Sequence, residues 1–226
     1  MAVQITFEAD GRPLDLTIEN LIVAGWTGRD ALAVEHHIAE LAALGVAPPS
    51  SVPLFYRVAA PLLTTTDTLQ VLGEETSGEV EPLLVHDGQT LWLGLGSDHT
   101  DRGLEAVSVA HAKQVCGKPV ARGLWRFDEL ADRLDQLELS SQIRADSSSE
   151  WHLYQAGTLA AIRPLQALLA GLPGGGLQPK SAMLCGTLGA IGGVRAARHF
   201  RMQLHDPVTG RRLRHGYGIH TLPLVA

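Results

Sequence analysis

The chain has 226 residues and a mass of 24.1 kDa, which suits one large domain or two small ones. Apolar residues make up 45%, enough for a sizeable core, and no apolar run approaches the ~20 residues that span a bilayer. Eighteen basic residues against twenty-four acidic ones leave a net charge of −6, which argues against a nucleic-acid partner.

The N-terminus, MAVQITFEADG, alternates like a strand and lacks the basic stretch and apolar run of a signal peptide. Cys116 and Cys185 sit in apolar surroundings and cannot form a disulfide framework. Reduced thiols and a cytoplasmic protein with no membrane partner are expected. Residues 3–7 and 14–18 flank Ala-Asp-Gly-Arg-Pro and predict a first hairpin. Asp30 can cap a helix over 31–44, with Leu32, Ile38, Leu41 and Leu44 as its apolar stripe, ending at Gly45 before a Pro-rich stretch.

Further strands are predicted at 54–58 and 68–72, and at 78–85 and 91–96 on either side of His-Asp-Gly-Gln. Helices are expected over 104–115 after Asp101, over 129–137 after Asp128, and over 157–171 despite Pro164. Strands at 137–143 and 182–186 precede a closing hairpin, 199–205 and 211–219, around Asp-Pro-Val-Thr-Gly. Arg211, Arg212 and Arg214 read as the polar face of that last strand. No repeat and no interdomain linker is evident, and strands do not alternate regularly with helices. The expectation is a single β-rich α+β domain over 1–226, with the hairpin of 1–19 as part of it.

The segment from Gly78 to Asp98 carries the chemistry. Residues two apart on a strand share a face, so Glu79 and Glu81 stand side by side, roughly 6.5–7 Å apart. Asp87-Gly88 favours a two-residue turn that pairs His86 with Gln89. Counting back sets Gly94 opposite Glu81 and Gly96 opposite Glu79, and Asp98, two beyond Gly96, joins the same face. Glycines facing the glutamates leave room above them. Three clustered carboxylates repel one another unless a cation neutralises them, and an all-oxygen set favours Mg²⁺ or Mn²⁺, with Ca²⁺ also compatible. Exposed Glu-x-Glu also occurs on plain solvated faces, and a bulge at Pro82 would move Asp98 to the other side.

His37 and Glu40, three apart on the predicted helix, are neighbours on one face. A carboxylate beside a histidine fixes its tautomer and raises its basicity, which suits a general base acting on water. A surface His–Glu pair has the same spacing. His36 is placed less favourably toward Glu40.

Taken in order, these motifs resemble the fumarylacetoacetate hydrolase family. The likeness runs through EHHIAEL (35–41), PLFYR (53–57), GEVEPLLV (78–85), GSDHTDR (96–102), the Gly-Lys at 117–118, and MLCGTLGAIG (183–192). Departures include Arg57 where lysine is usual, Leu188 for a proline, and a short Glu-x-Glu-to-Asp98 connection. The resemblance implies a shortened, mixed β-sandwich roll with a few peripheral helices, usually a homodimer. It also implies a Mg²⁺- or Mn²⁺-dependent hydrolase cleaving a C–C bond in a 2-oxo acid or β-dicarbonyl substrate. In that scheme Glu79, Glu81 and Asp98 hold the metal, while His37 and Glu40 activate water. Lys118 stabilises developing negative charge, and Arg57, Arg102, Gln155 and Thr187 grip the substrate. A decarboxylase, hydratase or tautomerase of the same family, or a non-catalytic metal-stabilised binding protein, are the alternatives.

Overall fold

Asp10 and Gly11 adopt positive φ angles of 52° and 73°, the conformation a two-residue hairpin turn demands. They join Val3–Ala9 to Arg12–Ile18 as an antiparallel pair, as expected. The computed structural model describes residues 1–43, 47–147 and 150–225, apart from the side chains of His37 and Leu41.

That hairpin forms one edge of an eight-stranded mixed sheet. Its order is Arg12–Ile18, Val3–Ala9, Gly123–Arg126, Leu91–Ser97, Val80–His86, Ser181–Leu184, Asn20–Gly25, Leu54–Val58. A second, five-stranded sheet runs His152–Thr158, Glu138–Arg144, His199–His205, Arg212–Leu222, Thr68–Leu72. The larger sheet is apolar on both faces. Leu84, Leu93, Leu95 and Met183 pack against Leu139, Phe200, Leu204 and Tyr217 of the smaller sheet. On the other face Leu83, Val85 and Leu184 join Phe7, Ile18 and Val23 in a second core inside the curl of the sheet. Double burial explains why residues 80–85 read as a nearly unbroken apolar run. The β-rich fold with few helices is as the sequence predicts. Both cysteines are free and buried, and no described helix is long and apolar enough to cross a membrane.

The helices differ from expectation. Asp30 does cap Ala31–Ala43, accepting from Ala33 N at 3.1 Å. The expected stripe does not pack, however: Leu32 is 77% exposed and Ile38 half-buried. The Leu41 side chain, Leu44 and Gly45 lie outside the described residues. The helix over 104–115 is two short ones, Arg102–Glu105 and Val109–Gln114, because Asp101 and Ser108 each cap a new start. At 129–137 there are only the 3-10 turns Asp128–Leu130 and Leu134–Gln136. Residues 157–171 divide likewise, since Pro164 has no amide hydrogen to continue a helix. The strand His152–Thr158 ends there, a 3-10 turn follows, and only Leu165–Gly171 is helical.

Candidate metal centre

The hairpin register differs from the expected one by two residues. Val80–His86 pairs with Leu91–Ser97 so that His86 faces Leu91 and Glu81 faces Gly96. The connection is a four-residue loop, not a two-residue turn, because Asp87 Oδ1 accepts the amides of Gln89 and Thr90, each at 2.7 Å. One pair past the strand ends, Asp98 N donates to the Glu79 carbonyl at 3.0 Å. Asp98 therefore stands opposite Glu79. A slip of two preserves the face, whereas a slip of one would have reversed it. Pro82 pairs with Leu95 without a bulge.

One oxygen each from Glu79, Glu81 and Asp98 lies within 4.8 Å of the others. The glycines do not leave the expected opening above them. A Cβ on Gly96 would lie 2.7 Å from Leu184 Cδ2, and one on Gly94 would lie 2.8 Å from Leu124 Cδ2. Their role is close packing of the inner core. The opening lies to the side, where a cavity of about 710 Å³ takes Glu79 and Glu81 as part of its wall. Trp26, Tyr56, Val109 and Val194 give it apolar surface, while Arg102, Lys113 and Thr187 add polar groups.

Each carboxylate is held differently. Glu81 is buried, and its Oε2 accepts the Gly186 amide at 2.7 Å. Burial pushes its carboxyl well above the usual range, with the Asp98 and Glu79 charges adding to the rise. Asp98 is fully buried between two lysines, with Lys113 Nζ against Oδ2 and Lys118 Nζ 3.0 Å from Oδ1. Burial opposes its ionisation, but the two ammonium groups outweigh that and hold it well below the usual range. Glu79 Oε1 lies 3.2 Å from Arg102 Nη2. The donor set fits a hard divalent cation, being three carboxylates that converge in a partly desolvated corner.

Arg102 lines the cavity, fixed by Ser77 Oγ at 2.7 Å and Glu105 Oε2 at 2.7 Å. Thr187 lines it too, its hydroxyl donating to the Val80 carbonyl at 2.7 Å. Gln155 is buried behind the wall and fully engaged. Its Oε1 accepts from Val80 N at 3.0 Å and Ser141 Oγ at 2.9 Å, and its Nε2 donates to Thr187 Oγ1 and the Leu188 carbonyl, both at 2.7 Å. It braces the strand that carries Glu79 and Glu81. Lys118 is buried, donates to the His99 carbonyl at 2.6 Å, and is not among the described cavity residues.

Arg57 is not brought to the site. Tyr56 faces the cavity, so its neighbour on the strand points away and is exposed. The His37 side chain lies outside the described residues, although its helix places Ala33 and Val34, one turn earlier, on the cavity wall. Glu40 Oε1 lies 3.5 Å from His36 Nδ1, closer than the expected unfavourable placement of His36 implies.

Sequence reasoning missed Lys113 and a buried network behind Asp98. His99 Nδ1 lies 3.0 Å from the Tyr217 hydroxyl and Nε2 2.9 Å from Thr76 Oγ1, while Tyr217 also meets Ser97 Oγ at 2.9 Å. Burial, then the charges of Lys118 and Arg102, pull the His99 imidazole down to about 3, which keeps it neutral. Nothing in the sequence distinguishes Lys113 from a surface helix lysine. It is buried on the short helix that Ser108 caps, which packs against the strand Leu54–Val58.

The model of a family described as protein of unknown function (DUF2848) matches residues 24–217. No curated protein matches the sequence. Among solved structures, a candidate fumarylpyruvate hydrolase from Burkholderia cenocepacia superimposes with a TM-score of 0.65 at 14% identity, over 99% of this chain and 94% of that one. A 2-keto-3-deoxy-D-arabinonate dehydratase complexed with magnesium and 2,5-dioxopentanoate gives 0.64 at 12% identity, over 92% and 74%. Cg1458 gives 0.59 at 13%, over 90% and 76%. These neighbours are fumarylacetoacetate-hydrolase-like proteins, and at such identities the likeness establishes the fold.

Proposed function

This chain belongs to the DUF2848 family, and we propose that it is a metal-dependent enzyme that cleaves a C–C bond in a 2-oxo acid or β-dicarbonyl substrate. The observation that carries this reading is the convergence of Glu79, Glu81 and Asp98 at a cavity large enough for a small acid. A hydrolase and a dehydratase among the structural neighbours support an enzyme on this fold, and the magnesium in one of them supports Mg²⁺ or Mn²⁺ here.

Bound by the three carboxylates, such an ion supplies Lewis acidity toward adjacent substrate oxygens. The chain's own groups do the rest. Arg102, already fixed by Ser77 and Glu105, presents a cation to the substrate carboxylate from the cavity wall. Trp26, Tyr56 and Val194 exclude water around the acyl part. His37, carried one turn beyond Ala33 and Val34, takes a proton from water, and the resulting hydroxide adds to the acyl carbonyl. The C–C bond then breaks with its electron pair on the departing enolate, which is protonated on release. Lys118 keeps Asp98 ionised and in place.

A second reading is a dehydratase or decarboxylase that needs no activated water, supported by the dehydratase among the structural neighbours. In either case we propose a homodimer, which light scattering checks.

The test combines melting with Mg²⁺ or Mn²⁺, oxalate binding with and without metal, and turnover of acylpyruvates by wild type and His37→Ala. Thermal stabilisation by either ion and metal-dependent oxalate binding are expected. Absence of both defeats the metal reading. Wild-type acylpyruvate hydrolysis by His37→Ala defeats the base assignment and leaves the metal in place.

A further inference from the structure

Asp98 is fully buried and is not on the described cavity wall, whereas Lys113 is on that wall and lies against Asp98 Oδ2. Lys113 itself is only 6% exposed. Its charge acts on Glu79 and Glu81 as well as on Asp98, and the Tyr56 ring lies beside it, with the centroid 5.7 Å from Nζ. One carboxylate in contact, two more carboxylates whose charge it feels, and an aromatic face make a favourable seat for an ammonium group. With Lys118 and Arg102, three cationic side chains then meet the trio and the Glu105 carboxylate that Arg102 also holds, so the protein itself offsets most of the cluster's charge.

A divalent ion held by the trio would draw on the same Asp98 carboxylate as this ammonium, and the two positive charges would repel each other. We propose that Lys113 is a built-in counter-ion of the Glu79–Glu81–Asp98 trio, and that a divalent cation reaches Asp98 only by displacing it. The inference rests on the metal reading above for its second half, while its first half stands without metal. A flexible four-carbon stem lets the displaced amine move toward Tyr56 and the cavity, where it faces bound substrate. Lys113 thereby sets how tightly the site holds its ion.

The experiment is a Mn²⁺ titration followed by electron paramagnetic resonance, on wild type and Lys113→Met, with melting of both in chelator. The expected results are Mn²⁺ binding at least about tenfold tighter in Lys113→Met and a lower melting temperature for that variant without metal. Adding Glu81→Gln should recover part of that lost stability, because one fewer negative charge then lacks a counter-ion. Equal or weaker Mn²⁺ binding by Lys113→Met overturns the competition, even if the wild-type metal site is confirmed. If neither protein binds Mn²⁺, the metal reading fails separately. In that event, melting of Lys113→Met at the wild-type temperature overturns the counter-ion role, and a lower melting point recovered by Glu81→Gln upholds it. Should Lys113→Met not fold, folding of the double variant upholds the charge balance and its failure to fold overturns it.

Discussion

The Gly186 amide donates to Glu81 Oε2 at 2.7 Å from a backbone with φ of +101°. A Cβ at that position would lie 1.6 Å from Thr27 Oγ1. Both the conformation and the space therefore require glycine, and what they secure is the orientation of the most buried glutamate in the trio. Gly186→Ala should cost at least about 2 kcal/mol of stability and abolish the melting shift produced by Mn²⁺. Denaturant titration and calorimetry check both. A variant with normal stability and an intact Mn²⁺ response would show that this amide is not what aims Glu81.

Arg102 and Arg57 are both arginines that the sequence motifs nominate for substrate, and the structure separates them. Arg102 lines the cavity with its guanidinium held by Ser77 and Glu105, while Arg57 is exposed beside a tyrosine that faces inward. Arg102→Ala should weaken oxalate binding in Mn²⁺ by about tenfold, the loss of one charge-assisted contact. Arg57→Ala should leave it unchanged. Isothermal titration of the two variants decides the matter, and equal losses would mean that neither arginine is specific to the site.

The trio was legible because strand parity is robust. The Asp87-Gly88 pair suggests a tight turn, and Asp87 instead closes a four-residue loop with its own carboxylate. The two-residue slip this produces moves every pairing but keeps Glu79, Glu81 and Asp98 on one face. The Asp10-Gly11 pair, in the same sequence context of a polar turn, does form the tight turn. Dipeptide chemistry alone does not separate the two cases. What fills the space over Gly94 and Gly96 was not legible, since Leu124 and Leu184 come from strands distant in sequence. Lys113 was hidden for the same reason: its partners, Asp98, Tyr56 and the glutamates, meet only through the curl of the sheet.

Behind the carboxylates, Tyr217 reaches across from the smaller sheet to Ser97 Oγ at 2.9 Å and His99 Nδ1 at 3.0 Å. Those residues flank Asp98 on its own strand and loop. Tyr217→Phe removes one hydroxyl and leaves a buried imidazole nitrogen without that partner. The expected cost is about 1–2 kcal/mol, together with weaker Mn²⁺ binding because Asp98 loses lateral support. Chemical denaturation measures the first and a Mn²⁺ titration the second. A stability loss with unchanged Mn²⁺ affinity would confine the network to folding.

Asp206 supplies a pH dependence away from the metal centre. It opens the Asp-Pro-Val-Thr-Gly turn, where its carboxylate accepts from Thr209 Oγ1 at 2.8 Å, Val208 N at 3.1 Å and Arg133 Nη2 at 3.2 Å. Burial works against its ionised form, but the Thr209 and Arg133 hydrogen bonds outweigh it and hold the carboxyl at about 2. An unfolded aspartate titrates near about 3.9. With the folded value depressed, the stabilisation is complete above the unfolded value, shrinks as pH falls below it, and is gone once pH passes below about 2. Asp206→Asn should therefore melt below wild type at neutral pH, with the gap narrowing between about pH 4 and pH 2. Melting both proteins across that range isolates this carboxyl from the others that titrate there. A gap that stays constant with pH would mean that the turn is held by packing and backbone bonds, such as Gly210 N to the Asp206 carbonyl at 2.8 Å, and not by the charge.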